Sequence, residues 1–133
     1  MRMIEFNGQH VYTHALFNIT KKNLQNTMPM EGTIKDIYFF VFSHDNSTGI
    51  RKVDYNSEAI DKKESGLMID IIDTKLKSQV STQIFGRKNI NNFLADTNVS
   101  DKDLSPLKDK NATAYMHNGE RILGIGIDAY VSK

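Results

Sequence analysis

Apolar and polar residues alternate most regularly near the C-terminal end of the chain. The runs Ala112–His117 and Glu120–Val131 flank an Asn118-Gly119 pair. Asn-Gly accepts positive φ at both turn positions, so the pattern predicts a two-residue β-hairpin with His117 opposite Glu120. One face of its second strand is predicted to be apolar and comprises Leu123, Ile125, Ile127, Ala129 and Val131.

The opposite face of that strand carries Ile122, Gly124, Gly126, Asp128 and Tyr130. Two glycines on one face leave room for another group to approach the backbone. Either they accommodate a neighbouring aromatic side chain, Tyr115 or Tyr130, or a ligand or partner contacts this face. We expect the same hairpin chemistry at Asn7-Gly8, between Met3–Phe6 and Gln9–Ile19, with Ile4 opposite Val11 and Glu5 opposite His10.

The most hydrophobic segment is Thr33–Ser43. Within it Ile37–Phe42 is apolar on both faces, which predicts a central strand covered on both sides. After a turn at His44–Gly49, Ile50–Tyr55 is predicted to return as its antiparallel partner. The preceding segment Thr20–Gly32 is polar and contains Pro29, so we interpret it as a loop or a short helical turn.

The next segment predicts a short helix capped by Ser57, running to Glu64 and ended by Gly66. Leu67–Asp73 is predicted to be a strand. In Thr74–Phe85 apolar residues recur every fourth position, which suits a helix or a strand, and the Ser and Thr content favours a strand.

Asn89–Ala95 is predicted to be a short helix that buries Ile90, Phe93 and Leu94. The charged segment Asp96–Asn111, which contains Pro106, is predicted to be a mobile loop. Residues 1–133 are thus expected to form a single α+β domain that is rich in strands. Its mainly antiparallel sheet would be sandwich-like or open, with two or three short helices.

Composition narrows the classes of function. The chain has no cysteine, which excludes disulfides, thiolate zinc sites and a thiol nucleophile and suits a cytoplasmic protein. The net charge is +1 and no apolar run is long enough to span a bilayer, so neither a membrane nor long nucleic acid is an expected partner. The residues Lys, Asn and Ile, which have AT-rich codons, are abundant and indicate a low-GC bacterium or its phage.

The chain lacks a recognisable catalytic constellation. Gly124–Ala129 formally matches G-x-G-x-x-A, but that fingerprint must join a strand to a helix, and the chain ends at Lys133. His10 and His14 have a four-residue spacing without the glutamate of H-E-x-x-H. The carboxylates Asp70, Asp73 and Asp128 form no constellation in the sequence. We therefore expect no catalytic residue, no metal and no cofactor.

A second candidate site is the segment from Phe85 to Asn92. An aromatic ring, the planar guanidinium of Arg87 and several amides are groups that hold a nucleobase and its phosphate. The alternative is that Phe85 closes the core while Arg87 and Lys88 are solvated. Together with the glycine face, the predicted ligand-binding residues are Phe85, Arg87, Asn92, Tyr115, Gly124, Gly126, Asp128 and Tyr130.

These features favour a non-catalytic binding protein, expected to be a homo-oligomer. Its ligand would be small and polar or anionic, and nucleotide-like, as in a phage protein that sequesters a signalling nucleotide of its host. A partner protein is the other expected ligand. Two alternatives remain open: a structural or assembly component of a phage or bacterium, and a small hydrolase that uses His14 or His117 with a nearby carboxylate.

Overall fold

The computed structural model describes the backbone of residues 2–6, 9–13, 15–16, 26–42, 49–56, 65–118, 121–127 and 131–132. These residues contain ten strands, one α-helix and one 3-10 turn. The strands are β1 (Arg2–Phe6), β2 (Gln9–Thr13), β3 (Ala15–Leu16), β4 (Thr27–Phe42), β5 (Ile50–Lys52), β6 (Ser65–Asp73), β7 (Gln79–Phe85), β8 (Asn111–His117), β9 (Arg121–Ile127) and β10 (Val131–Ser132). The helix α1 spans Arg87–Thr97 and the 3-10 turn spans Ser105–Leu107.

The strands form two antiparallel sheets. The larger sheet has the order β3-β9-β8-β4-β6-β7, with β5 also paired to β4, and the smaller has the order β1-β2-β10. The predicted β-rich, mainly antiparallel class is confirmed. The predicted two or three helices are corrected, because the described residues contain one α-helix and one 3-10 turn. The predicted helix at 57–64 lies outside the described residues.

Strand β4 organises the larger sheet because its two ends pair with different partners. Residues 27–33 pair with β8, whereas residues 32–41 pair with β6 and 40–42 with β5. The predicted loop at Thr20–Gly32 is therefore wrong from Thr27 onward. Pro29 is tolerated there because β6 begins to pair only at Gly32, so no described strand takes a ladder hydrogen bond from position 29 on that side.

The core lies on the face of the larger sheet that α1 covers. Helix α1 contributes Ile90, Phe93 and Leu94, as the sequence predicted, and the 3-10 turn contributes Leu107. The sheet contributes Ile34, Ile37, Phe39, Leu67, Ile69, Ile71, Ile84, Ala112, Ala114, Met116, Ile125 and Ile127. Helix α1 ends at Asn98, whose left-handed φ of 58° lets its backbone N–H donate to the last carbonyls of the helix.

The predicted burial of Ile37–Phe42 on both faces holds in its centre. Phe39 and Phe40 point to opposite faces and are 5% and 0% exposed. Phe42 is 41% exposed, so the covering does not reach the end of the strand. Strand β5 pairs with β4 antiparallel, as expected for Ile50–Tyr55.

The N-terminal hairpin has the predicted register. Ile4 is paired with Val11, and Glu5 with His10. The turn residues Asn7 and Gly8 between the two strands lie outside the described residues.

The C-terminal hairpin departs from its predicted register. His117 pairs with Arg121 instead of Glu120, and the register shifts between Tyr115, opposite Gly124, and Met116, opposite Ile122. Leu123 is therefore an extra residue in β9, a β-bulge. The bulge moves Ile122 to the core face, where it packs beside the buried side chains.

The predicted long second strand of this hairpin is also divided. Strand β9 ends at Ile127, and Val131 belongs to β10, which pairs with β2 in the other sheet. Strand β6 covers the predicted Leu67–Asp73. In the ambiguous segment Thr74–Phe85, residues 79–85 form strand β7, which confirms the strand interpretation for that part.

The charged segment at 96–111 is attached to the core. The side chain of Leu107 is 3% exposed within it. Its end is joined to β4, since the backbone N–H of Ile34 donates to Lys110 O at 3.0 Å and that of Asp109 donates to Ile34 O at 2.9 Å. These contacts place the segment beside the edge of β4.

Candidate functional site

An open cleft of about 530 Å³ lies between the β4–β5 edge of the sheet and the 101–108 segment. Its volume is within the range of small-molecule sites. Two tyrosines, three carboxylates and two lysines contribute to its lining. The lining residues are Ile37, Tyr38, Phe39, Val53, Asp54, Tyr55, Asn56, Asp101, Lys102, Asp103, Leu104, Ser105 and Lys108.

The cleft results from the stagger of the strands around β4. On the side away from β6, β8 pairs with β4 only as far as Thr33, and β5 begins to pair only at Phe40. The backbone N–H of Val53 donates to Phe39 O at 3.0 Å, just before the β5 pairing. The interval between Thr33 and Phe40 is thus bordered by loops, and the cleft opens there.

Asp36 lies within this interval of β4, next to a β-bulge in which Lys35 is the extra residue. Its carboxylate is 3.4 Å from Lys52 Nζ and 3.3 Å from Lys108 Nζ, and it accepts a hydrogen bond from the backbone N–H of Ile37 at 2.9 Å. Burial alone would raise the pKa of Asp36, but these three donors outweigh it and hold the pKa below its usual range. The ion pair with Asp36 therefore holds Lys108, a residue of the cleft lining, against the sheet.

Tyr38 forms part of the cleft wall next to this ion-pair cluster. Lys52 Nζ lies 4.5 Å from the centroid of its ring, a cation–π contact. Burial, followed by the negative charges of Asp70 and Asp36, raises the pKa of the Tyr38 hydroxyl. The Tyr38 hydroxyl therefore keeps its proton at neutral pH.

Tyr55, on the wall of the cleft after β5, is fixed from three sides. Its hydroxyl donates to Asn91 Oδ1 at 2.6 Å, and its backbone oxygen accepts a hydrogen bond from Arg87 Nη1 at 2.9 Å. The Arg87 guanidinium carbon also lies 4.6 Å from the centroid of its ring. Phe39 meets the ring edge-on at a centroid distance of 5.5 Å. The wall is thus anchored to α1 and to the core before any ligand binds.

The 101–108 segment forms the opposite wall and has its own local order. Asp103 Oδ1 accepts hydrogen bonds from the hydroxyl of Ser105 at 2.6 Å and from its backbone N–H at 3.1 Å. These bonds lower the pKa of Asp103. The backbone N–H of Lys102 donates to Ser100 Oγ at 3.1 Å. The carboxylate of Asp103 is therefore charged and held in place at neutral pH.

The charges of the lining favour hydrogen-bond donors or cations over anions. Three carboxylates, Asp54, Asp101 and Asp103, face the positive charges of Lys102 and Lys108. Lys108 is already paired with Asp36 outside the lining set. The lining therefore carries a net negative charge, which suits a cationic ligand better than the anionic ligand expected from the sequence.

The structure places Arg87 behind the cleft. It is partly buried and contacts Tyr55, which differs from the alternative in which its side chain is solvated. Phe85 is 41% exposed at the end of β7, and Asn92 is exposed on α1. Of the three residues predicted in this segment, Arg87 is the one that touches a cleft residue among the described contacts.

The other half of the predicted site lies elsewhere in the sheet. Tyr115 is fully buried in β8 directly opposite Gly124, and Gly126 is opposite Thr113. Burial raises the pKa of Tyr115 far above its usual value. At a strand spacing of about 4.8 Å, β7 lies about 19 Å from β9, which carries the glycines, and about 14 Å from β8, which carries Tyr115. One chain does not bring the two halves of the predicted site together. Asp128 and Tyr130 lie outside the described residues.

Sequence reasoning did not find the cleft residues. Tyr38 appeared only as part of an apolar strand, and Asp36 as a polar residue before it. The one local signal was Asp103-Leu104-Ser105-Pro106, a typical sequence for an aspartate that accepts hydrogen bonds from the residue two positions on. The stagger of β4, which opens the cleft, depends on pairings distant in sequence.

Among the residues that the structure describes, no three His, Asp or Glu side chains converge as they would to hold a metal ion. Within the same ranges, no helix is long and apolar enough to cross a membrane. Comparison with protein-family models, curated proteins and solved structures gives no match for this chain.

Proposed function

We propose that the protein is a non-catalytic binding protein whose small polar ligand occupies the cleft between β4, β5 and the 101–108 segment. The observation that carries this proposal is the anchoring of Tyr55 by Arg87, Asn91 and Phe39. A wall fixed before binding lowers the entropy cost of association, which is a property of specific binding sites. The cleft volume of about 530 Å³ suits a ligand of nucleoside or amino-acid size.

The proposed ligand carries hydrogen-bond donors or a positive charge. The carboxylates Asp54, Asp101 and Asp103 are acceptors, and Tyr38 and Tyr55 are the aromatic residues of the lining with a hydroxyl group. A nucleoside base or an amine satisfies this set better than a phosphate does. The sequence-based expectation of an anionic, nucleotide-like ligand, held by a phage or bacterial protein in the cytoplasm, is the alternative within the same proposal.

Native mass spectrometry of protein purified from its host tests the proposal, because it reports a retained ligand and the oligomeric state together. Isothermal titration calorimetry with spermidine, adenosine and AMP then separates the ligand classes. We expect spermidine or adenosine to bind more tightly than AMP, and Asp101→Asn/Asp103→Asn to weaken that binding. Asp109→Asn, at an exposed carboxylate outside the cleft lining, is the control. Tighter binding of AMP, unaffected by the double substitution, contradicts the cationic version and supports the anionic one.

Self-association is the second part of the proposal. Leu76 is 78% exposed and lines a second cavity of about 520 Å³ that also includes Pro29, Met30 and Thr113. An exposed leucine at the rim of a partly apolar cavity favours a contact between two copies of the chain. Light scattering of the protein and of Leu76→Asp tests it: a dimer or small closed oligomer that dissociates in the variant supports it, and a monomer in both contradicts it. A large or open assembly supports the structural-component alternative.

A further inference from the structure

Strand β7 is an edge strand that lacks the usual protection. It ends the order of the larger sheet, and no described strand pairs with its outer side. Its sequence, Gln79-Val80-Ser81-Thr82-Gln83-Ile84-Phe85, contains no charge and no proline. Its seven-residue pairing with β6 is continuous, without a bulge. Edge strands in soluble proteins are normally protected by charges, proline, bulges or shortness, so β7 is open to a further strand.

The surroundings of β7 are positively charged. Between Asp73 and Asp96 the chain has four basic residues and no acidic residue; the basic residues are Lys75, Lys77, Arg87 and Lys88. The first pair lies in the turn before β7 and the second begins α1 directly after it. Lys35 reaches the same strand from β4, since its Nζ donates to Gln79 Oε1 at 3.3 Å. Arg87 is held against Tyr55, but Lys75 and Lys77 at one end and Lys88 at the other are exposed, so positive charge lies at both ends of an uncharged edge.

Among the residues that the structure describes, two carboxylates of the neighbouring strand β6 are engaged within the fold. Asp70 Oδ1 accepts a hydrogen bond from Ser81 Oγ at 2.5 Å. Asp73 Oδ1 accepts from the backbone N–H groups of Lys75 and Leu76, which fixes the turn that presents the lysines. The turn before β7 is thus held in one shape, and the lysines on it are exposed.

We infer that the outer edge of β7 binds an acidic peptide segment of a partner protein, which adds to the larger sheet as a further strand. The backbone of β7 would supply the ladder hydrogen bonds, and the basic residues at its two ends would attract acidic residues that flank an uncharged centre. Strand addition to an exposed edge is an established mode of peptide recognition. The seven residues of β7 span about 23 Å at about 3.3 Å per residue. The flanking charges at the two ends of β7 are therefore further apart than the Debye length of about 8 Å at physiological salt, and each end selects its own acidic group.

A second copy of this chain fits the edge less well. Antiparallel pairing of two β7 strands would bring Lys75 and Lys77 of one copy beside Arg87 and Lys88 of the other. Like charges that face each other across a strand pair are destabilising. A nucleic acid would satisfy the positive charge but has no amide ladder to complete the strand edge. The combination of a bare backbone edge and flanking cations therefore favours an acidic peptide.

Phe85 adds a side-chain preference. It is 41% exposed at the end of β7, on the face away from the core, and its ring lies 6.2 Å from that of Phe40. A strand added beside β7 would place a side chain next to Phe85. An apolar residue at that position of the peptide would cover the exposed part of its ring.

Fluorescence anisotropy with a synthetic peptide tests the inference. The probe has nine residues, with two acidic residues at each end and alternating Val and Thr in the centre, and its control has lysines at the ends. We expect the acidic probe to bind with a Kd below about 100 µM, at least tenfold tighter than the control, and to weaken as salt increases. If the acidic probe does not bind at protein concentrations up to about 100 µM, or if both peptides bind equally, the inference is overturned.

Protein variants and N-methylated peptides then test whether the probe binds at the edge of β7. Lys75→Glu/Lys88→Glu should weaken its binding at least about tenfold, whereas Arg51→Glu/Lys110→Glu, with the same change of net charge away from β7, should change it less than about twofold. In a strand, alternate N–H groups point to opposite sides. N-methylation of one alternating set of peptide amides should therefore abolish binding, and methylation of the other set should preserve it. Equal effects of the two sets, or tighter binding of a labelled uridine decamer than of the peptide, overturn the inference.

These experiments are independent of the cleft. Both lysine substitutions lie outside the cleft lining, so ligand binding there should be unchanged in Lys75→Glu/Lys88→Glu. Thermal melts of each variant show whether it is folded. If Lys75→Glu/Lys88→Glu does not fold, the N-methylated peptides show whether the probe pairs as a strand, because they leave the protein unchanged.

Discussion

Arg87 Nη1 donates a hydrogen bond of 2.9 Å to the backbone oxygen of Tyr55, and its guanidinium lies over the Tyr55 ring at 4.6 Å. The first residue of α1 thereby fixes a segment that is distant in sequence and forms a wall of the cleft. This relationship couples the stability of the fold to the shape of the proposed binding site.

We predict that Arg87→Ala lowers the free energy of unfolding by about 1–2 kcal/mol, the sum of one hydrogen bond and one partly desolvated cation–π contact. Arg87→Lys keeps the charge but lacks the planar fork, so it should recover less than the full amount. Chemical denaturation measures both, with Lys88→Ala, the exposed neighbour, as control. Equal stability of Arg87→Ala and wild type would show that the Arg87–Tyr55 contact does not stabilise the fold.

Phe40 provides a test of the central strand. Its side chain is fully buried, and its ring lies 5.2 Å from that of Phe42. Phe40→Ala should therefore lower the free energy of unfolding by about 3–5 kcal/mol, the usual cost of such a cavity. Phe42→Ala, at a ring that is 41% exposed, should cost clearly less. The prediction fails if urea denaturation gives a change below about 1 kcal/mol for Phe40→Ala.

Local patterns predicted those parts of the fold that depend on neighbouring residues. The N-terminal hairpin has its expected register because a two-residue Asn-Gly connection fixes the pairing directly. Helix α1 buries the three residues expected from their spacing. In the C-terminal hairpin the register differs twice from the prediction. His117 is opposite Arg121, so three residues instead of two connect the strands, and the register shifts again at Leu123. Ile122 and Leu123 are both apolar, so the pattern did not reveal this bulge.

The candidate site could not be predicted, because it depends on strand pairings between segments that are distant in sequence. The cleft exists because β8 and β5 leave part of β4 unpaired, and those pairings join segments far apart in the chain. The glycine face of β9 was visible in the sequence, but its cross-strand neighbour was not: Gly124 is opposite the fully buried Tyr115. Arg87 was among the predicted ligand-binding residues, but its contact with Tyr55 was not foreseen.

Acid should weaken the fold partly through Asp36. The pKa of Asp36 is lowered in the folded protein, so its contribution to stability is present above the unfolded carboxyl pKa of about 3.9 and is lost as the pH falls through the folded value. In Asp36→Asn this component is absent. Melting temperatures measured from pH 6 to pH 2.5 should therefore fall less steeply in Asp36→Asn than in wild type. Asp109→Asn is the control, and identical slopes for Asp36→Asn and wild type would contradict the prediction.

The bulge at Leu123 makes a prediction that distinguishes the observed register from a regular hairpin. Ile122 is partly buried against the core opposite Met116, whereas a regular register would place it on the glycine face. Ile122→Asp should therefore destabilise the protein by about 1–3 kcal/mol, because it places a charge against apolar side chains. Asn111→Asp, at an exposed position of β8, should change stability by less than about 0.5 kcal/mol. Tolerance of Ile122→Asp in urea denaturation would favour the regular register.

Gly126 tests whether the glycine face serves the fold or a partner. Gly126 is buried opposite Thr113, which is 5% exposed, so we expect a larger side chain to be crowded there. We predict that Gly126→Val destabilises the protein by about 1–3 kcal/mol through overpacking, although valine suits a strand in itself. Gly126→Ala, with a single methyl group, should cost less, and a graded loss across Ala and Val would identify crowding as the cause. If Gly126→Val instead unfolds at the same denaturant concentration as wild type, the side chain has open space above β9. That result would return this face to consideration as a contact surface, and light scattering of the same variant would then show whether self-association depends on it.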